Sequence, residues 1–140
     1  YTPYWVSYAC MVQLAGGKPV FVQGSPARNF EPTSEQVAQA ITPRTKAIIF
    51  SSPSNPNGLV LSRSSFMDLA QVLEQHPQVL VIADEIYEYI NFTDDFTSIG
   101  SIPSLQDRVV TVNGFSKSYA MTGWRVGYLA APLWLAKACE

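Results

Sequence analysis

The sequence predicts an α/β fold built on a largely parallel sheet, and three observations carry that prediction. Short β-branched and aromatic runs alternate along the chain with segments of helical periodicity. One of those runs, "VLVIAD" at 79–84, is apolar almost throughout, as in a strand covered on both faces. Polar residues also gather directly after the strands, where ligands of such sheets collect.

Taken in order, residues 4–15 have the mixed pattern of an amphipathic helix, stopped by Gly16-Gly17. "KPVFVQ" (18–23) reads as a short strand. "NFEPTSEQVAQAIT" (29–42) offers Thr33 or Ser34 as N-cap, followed by Val37, Ala38 and Ile41 at helical spacing. "KAIIF" (46–50) reads as a buried strand that ends in the turn cluster "SSPSNPNG" (51–58). "SRSSFMDLAQVLEQH" (62–76) is the clearest helix, with Phe66, Leu69, Ala70 and Leu73 on one stripe. After the strand at 79–84 come strands at 108–113 and 125–131, then a helix following Pro132. There is no internal repeat, low-complexity tract or linker.

Composition narrows the function classes. The 140 residues have the size of one ordinary domain, and 47% hydrophobic with 14% charged residues is globular composition. A net charge of -2 without a Lys/Arg cluster leaves no electrostatic footprint for nucleic acid, and no apolar run is long enough to span a membrane. Cys10 and Cys139 lack the spacing of a disulfide framework or zinc site, and the single histidine, His76, excludes multi-histidine metal sites. The chain opens at Tyr1 without methionine and stops at Glu140 inside a helix-like run, so it is expected to be an internal piece of a longer protein.

The chemistry-bearing residues follow the strands. In "VNGFSKSYAMTGWRVGY" (112–128), Lys117 and Arg125 interrupt an apolar pattern, so burial is expected of both. Alone, Lys117 reads as a solvated loop lysine. In a partly desolvated turn, however, its amine becomes a nucleophile able to form a Schiff base with a carbonyl compound. Gly114, Ser116 and Ser118 make a small polar loop whose N–H groups suit an anion, and Arg125 is expected to open a strand with its planar fork toward a phosphate. Asp84 closes "VLVIAD" either as a helix N-cap, as a partner of Arg63 or Arg108, or as a carboxylate that keeps a heteroaromatic nitrogen protonated. Tyr87, one helical turn on, offers core packing or a phenol to a cofactor oxygen. Asn55 precedes a proline and so favours extended geometry, with self-capping as its ordinary role. Trp5 reads as a core aromatic or as a face that stacks on a planar ring. Together these describe a site for an aldehyde, a pyridine nitrogen, a phenolic oxygen and a phosphate, which is pyridoxal 5'-phosphate.

"SNPNG", "ADEIY" and "NGFSKSYAMTGWRVGY", in that order, resemble the class I aminotransferases of pyridoxal-phosphate fold type I. "PYWVSY" with "LAGG" is most similar to the aspartate and aspartate/prephenate branch of bacteria and plastids. The resemblance covers essentially the whole chain. It implies a three-layer aspartate aminotransferase-like large domain, with a mostly parallel sheet, helices on both faces and an incomplete outline. Residues 1–140 would be the central part of that domain, lacking an N-terminal segment and a C-terminal small domain.

On this resemblance Lys117 would carry the cofactor and then act as general base and acid. Asp84 would pair with the pyridinium nitrogen, and Tyr87 and Asn55 would hydrogen-bond the phenolic oxygen. Arg125 would bind the phosphate with help from the loop of Gly114 and Ser116, and Trp5 would stack on the ring. Many relatives have serine where this chain has Gly114, so a backbone N–H is expected to substitute. The reaction implied is amino transfer from an L-amino acid, aspartate or glutamate, to a 2-oxo acid. The protein would be a cytoplasmic homodimer, or a plastid one, with no nucleic-acid or membrane partner. Rival readings are another pyridoxal-phosphate enzyme, such as an alanine or aromatic aminotransferase or a lyase, and a cofactor-sensing regulatory domain. The 140 residues alone are expected to be inactive.

Overall fold

The structure, a computed structural model, describes residues 1–93 and 95–140. Four strands form one sheet in chain order: β1 (Ala47–Ser51), β2 (Leu80–Asp84), β3 (Val109–Gly114) and β4 (Gly127–Ala130). The first three are parallel and in step at their carboxyl ends, with Ser51 opposite Asp84 and Asp84 opposite Val112. β4 turns back antiparallel, pairing Gly127 with Gly114. The sheet is therefore mostly parallel, as the alternation of patterns predicts.

The helices are α1 (Ser7–Leu14), α2 (Ser34–Ala40), α3 (Arg63–Glu74) and α4 (Leu133–Cys139). α1 ends where Gly16 takes φ +76°, a conformation glycine adopts without the Cβ penalty. α2 starts in a capping box: Thr33 Oγ1 accepts from the Gln36 N–H, and Gln36 Oε1 accepts from the Thr33 N–H. α3 is capped by Ser62 and buries Phe66, Leu69, Ala70 and Leu73, the stripe its periodicity predicts.

Successive strand residues point to opposite faces, which divides the molecule into layers. Val81 and Ala83, both fully buried, join Phe50, Phe66, Leu73, Ile99 and Leu105 in the core on the α2–α3 side. Each of the larger side chains, Ala83 aside, contributes roughly 1.5–3 kcal/mol of transfer free energy. Ser51 and Asp84 face the other way, toward α1. Helices therefore flank both faces, as expected.

Four expectations are corrected. Residues 18–23 are not a strand: only Gln23 bridges, to Thr2, and Val20 and Phe21 stay largely exposed because no neighbouring strand lies alongside. Strand β2 is fully covered on one face only, with Leu80, Ile82 and Asp84 half-buried on the other. Residues 86–89 form a turn rather than a helix, held by the Glu88 N–H on the Glu85 carbonyl. Lys117 and Arg125 are exposed rather than buried, because both lie on the connection between β3 and β4, and β4 is an outer strand exposed along its whole length.

Candidate active site

Asp84 is fixed at the end of β2 by three ladder and side-chain contacts. Its carbonyl accepts from the Ser52 N–H at 3.2 Å, its Oδ1 accepts from the Ile86 N–H at 3.2 Å, and its Oδ2 accepts from the Tyr8 hydroxyl at 2.6 Å. The last bond spans 76 residues and ties α1 to the strand. Neither Arg63 nor Arg108 is its partner: Arg108 instead pairs with Asp107 and donates to the Leu73 and His76 carbonyls at the end of α3. Burial first, then donation to the Asp84 carboxylate, pushes the Tyr8 phenol well above its ordinary value.

Lys117 lies in a turn over residues 116–119, just past β3, with its Nζ 5.9 Å from the centroid of the Tyr87 ring. That is within cation–π range and brings the cation to the residue that follows Asp84 by three. Ser116 shares the turn and is half-buried, and the buried Ser118 Oγ has no hydrogen-bond partner among the described residues. Arg125 does not open β4. It sits two residues before it in the left-handed region, φ +53°, after a one-turn 3₁₀ helix at Thr122–Trp124. Its Nη1 donates to the Thr122 carbonyl at 2.9 Å.

Gly114 contributes shape. A Cβ there would lie 3.1 Å from both the Gly127 Cα and the Val126 carbonyl oxygen, so the close approach of β3 and β4 favours glycine. Its N–H is already taken by the Asn113 Oδ1 at 2.7 Å, which leaves that amide unavailable to an anion.

Asn55 and Tyr87 line one open cleft of about 360 Å³ with Pro53, Val60, Ile90 and Asn91. Asn55 is half-buried in the 51–58 turn, where both proline bonds, Ser52–Pro53 and Asn55–Pro56, are cis. Trp5 stands just before α1, 41% exposed, and meets the Tyr8 ring edge-to-face at 5.5 Å. The sequence-predicted residues thus gather at the carboxyl ends of three parallel strands. Asp84, Tyr87 and Lys117 are linked by contact or by neighbouring turns, Asn55 joins Tyr87 across the cleft, and Trp5 joins through Tyr8.

Sequence reasoning missed Tyr8, Glu85 and Asn113. Glu85 is 3% exposed and turns to the core side, where its Oε1 accepts from the Ser98 hydroxyl at 2.8 Å. Burial, followed by the neighbouring Glu88 and Asp84 charges, pushes its carboxyl up to about 7, although the Ser98 bond opposes this. Asn113 bridges Glu88 and the Gly114 amide. The one available signal for Tyr8 was its position one helical turn after Trp5.

The chain belongs to the family described as aminotransferase class I and II, whose sequence profile matches residues 1–140. It is 52% identical over 138 residues to the aspartate/prephenate aminotransferase of Cereibacter sphaeroides, covering 97% of this chain and 34% of that protein. It is 48% identical over 139 residues to the aspartate aminotransferase of Geobacillus stearothermophilus, covering 98% and 35%. The crystal structure of the aspartate aminotransferase from Rhizobium meliloti superimposes with a TM-score of 0.94 at 43% identity, over 98% of this chain and 35% of that one. The fold is thus that of part of an aspartate aminotransferase, and the chain spans about a third of the length of the relatives it matches.

Proposed function

We propose that the full-length protein transfers an amino group from an L-amino acid, aspartate or glutamate, to a 2-oxo acid with pyridoxal 5'-phosphate as cofactor. The observation that carries this reading is the placement of the Lys117 amine beside the Tyr87 ring, one strand over from the Asp84 carboxylate.

The donor set fits the cofactor. Tyr8 and the Ile86 N–H occupy one position on each Asp84 oxygen, and a carboxylate accepts about four hydrogen bonds, so Asp84 retains acceptor capacity for a ring N–H. Arg125 spends one of its five donors on Thr122, which leaves the fork for a phosphate. The unpartnered Ser118 Oγ leaves polar capacity beside the lysine turn. When bound, the cofactor supplies an aldehyde for an amine and a ring that takes up the electrons released at the substrate α-carbon.

The residues then divide the work. Lys117 would hold the cofactor, and its amine would serve as the base that takes the proton from the substrate α-carbon and as the acid that gives it back. Asp84 holds the ring nitrogen protonated. Tyr87 and Asn55 donate to the phenolic oxygen from the cleft they share. Trp5 covers the ring, and Arg125 with Ser116 holds the phosphate end. Gly114 contributes through its shape, since its amide is taken. On this reading residues 1–140 are the central part of the large domain of a cytoplasmic homodimer, and the remaining two thirds supply what else the reaction needs.

The test is the visible absorption band of the full-length protein loaded with the cofactor. Addition of L-aspartate should convert it to the aminated form, and 2-oxoglutarate should restore it. A band that ignores every amino acid offered would contradict the reading and favour a cofactor-sensing domain.

A further inference from the structure

Past the end of the parallel ladder, the segments that carry Tyr87 and Lys117 leave the sheet separately. The last backbone bond between them is from the Glu85 N–H to the Val112 carbonyl, at 2.8 Å. Beyond it the 86–89 turn closes on itself, the Glu88 N–H meeting the Glu85 carbonyl. The lysine turn does the same through the Tyr119 and Ala120 N–H groups on the Phe115 and Lys117 carbonyls. Among the described residues, one hydrogen bond crosses between the two segments there: the Asn113 Nδ2 donates to the Glu88 Oε2 at 2.7 Å. That is the short length of a bond to a charged acceptor. The other half of the amide is committed too, since the Asn113 Oδ1 accepts from the Gly114 N–H at 2.7 Å. An N–H only donates, so the amide is held one way round, its oxygen toward Gly114 and its nitrogen toward Glu88. Asn113 is 4% exposed, so losing a partner leaves a buried polar group unpaired.

We propose that Glu88 and Asn113 are positioning residues: their bond fixes the Tyr87 turn against the strand end from which the Lys117 turn departs, and so keeps the Tyr87 hydroxyl on the cofactor's phenolic oxygen. This rests on the pyridoxal-phosphate reading above. The sequence places the bond close to both groups, since Glu88 directly follows Tyr87 and Gly114 stands three residues before Lys117. It works from behind the sheet. Asn113 shares its face of β3 with the core residue Val109, opposite to the face of Asp84, so it acts on the cofactor only through Tyr87. Donation from Tyr87 makes the phenolic oxygen a poorer partner for a proton on the nitrogen that joins Lys117 to the cofactor. A Tyr87 turn that drifts loses this effect, and that nitrogen then takes up its proton at higher pH.

The experiment titrates the visible band of the cofactor-loaded full-length protein against pH. It compares wild type, Glu88→Ala, Asn113→Asp and the pair Glu88→Gln with Asn113→Asp, with folding checked by circular dichroism. Asp84 and Glu85, the other carboxylates beside this turn, are kept in every variant. Glu88→Ala should raise the midpoint by about one pH unit, the size of one weakened hydrogen bond. Removing a carboxylate would by charge alone lower it, so the sign separates positioning from charge. Asn113→Asp sets two carboxylates face to face and should raise the midpoint as well. The pair regenerates the bond in the reverse direction at the wild-type net charge, the new amide donating to the new carboxylate, and should return the midpoint to the wild-type value. An unchanged or lowered midpoint in Glu88→Ala, or a pair displaced as far as Asn113→Asp, would overturn the proposal. Should either single variant fail to fold, the pair must still fold with the wild-type midpoint; failure to do so overturns it equally. A wild type that shows no visible band with the cofactor would instead overturn the functional reading, and the role of the bond with it.

Discussion

Asp84 and Glu85 are neighbouring carboxylates in opposite environments, since the strand's two-residue period sends one to each face. Asp84 accepts from two donors, whereas Glu85 is buried on the core side, where the Ser98 hydroxyl and the Ile99 backbone only partly offset its burial. Its carboxyl, raised to about 7 from 4.5, favours the protonated form in the folded chain. A raised carboxyl contributes stability that is complete below the unfolded value and is lost as pH rises through the folded one. The full-length protein should therefore lose about 2–3 kcal/mol at this position between about pH 4.5 and pH 7. Glu85→Gln should flatten that part of the profile, and urea midpoints measured across the window check it; an equally steep profile in the variant would refute the assignment. Asp84 and Lys117 were legible in the sequence because each charge interrupts an apolar or small-residue run. Tyr8 was not, because an aromatic at helical spacing looks like packing and its partner lies 76 residues away.

At the scale of elements, the sequence patterns held where local chemistry decides. Of the two N-cap candidates, Thr33 is the cap, and the structure completes it as a capping box with Gln36. Thr33→Ala should lower stability by about 1 kcal/mol, seen as a lower urea midpoint with unchanged cofactor binding. An unchanged midpoint would mean that tertiary contacts alone hold α2. The stripe of α3 also matched, because Phe66, Leu69, Ala70 and Leu73 have one face to bury and one sheet to bury it on. Patterns failed where partners decide. "KPVFVQ" has strand composition, but a strand is defined by a ladder, and only Gln23 finds one rung. A turn at 86–89 follows Asp84, for which a helix N-cap was one reading, and Tyr87 reaches the cleft beside Asn55.

For the whole molecule, the parallel order of β1, β2 and β3 brings distant polar residues to one edge. The sequence shows which residues follow strands; only the register shows that Ser51, Asp84 and Val112 end in line. Exposure was the least legible property. Val126, Tyr128, Leu129, Leu133 and Trp134 leave an apolar surface along β4 and α4, and the same openness keeps Lys117 and Arg125 in solvent. Apolar surface of this extent on one edge is the kind that other protein segments cover. The most direct measurement on the central claim is borohydride reduction of the cofactor-loaded full-length protein, followed by peptide mass mapping. The account predicts that the reduced cofactor is fixed to the peptide containing Lys117 and that Lys117→Ala removes it. Attachment at Lys18, Lys46, Lys137 or a lysine elsewhere in the full-length protein, with Lys117 unmodified, would contradict it.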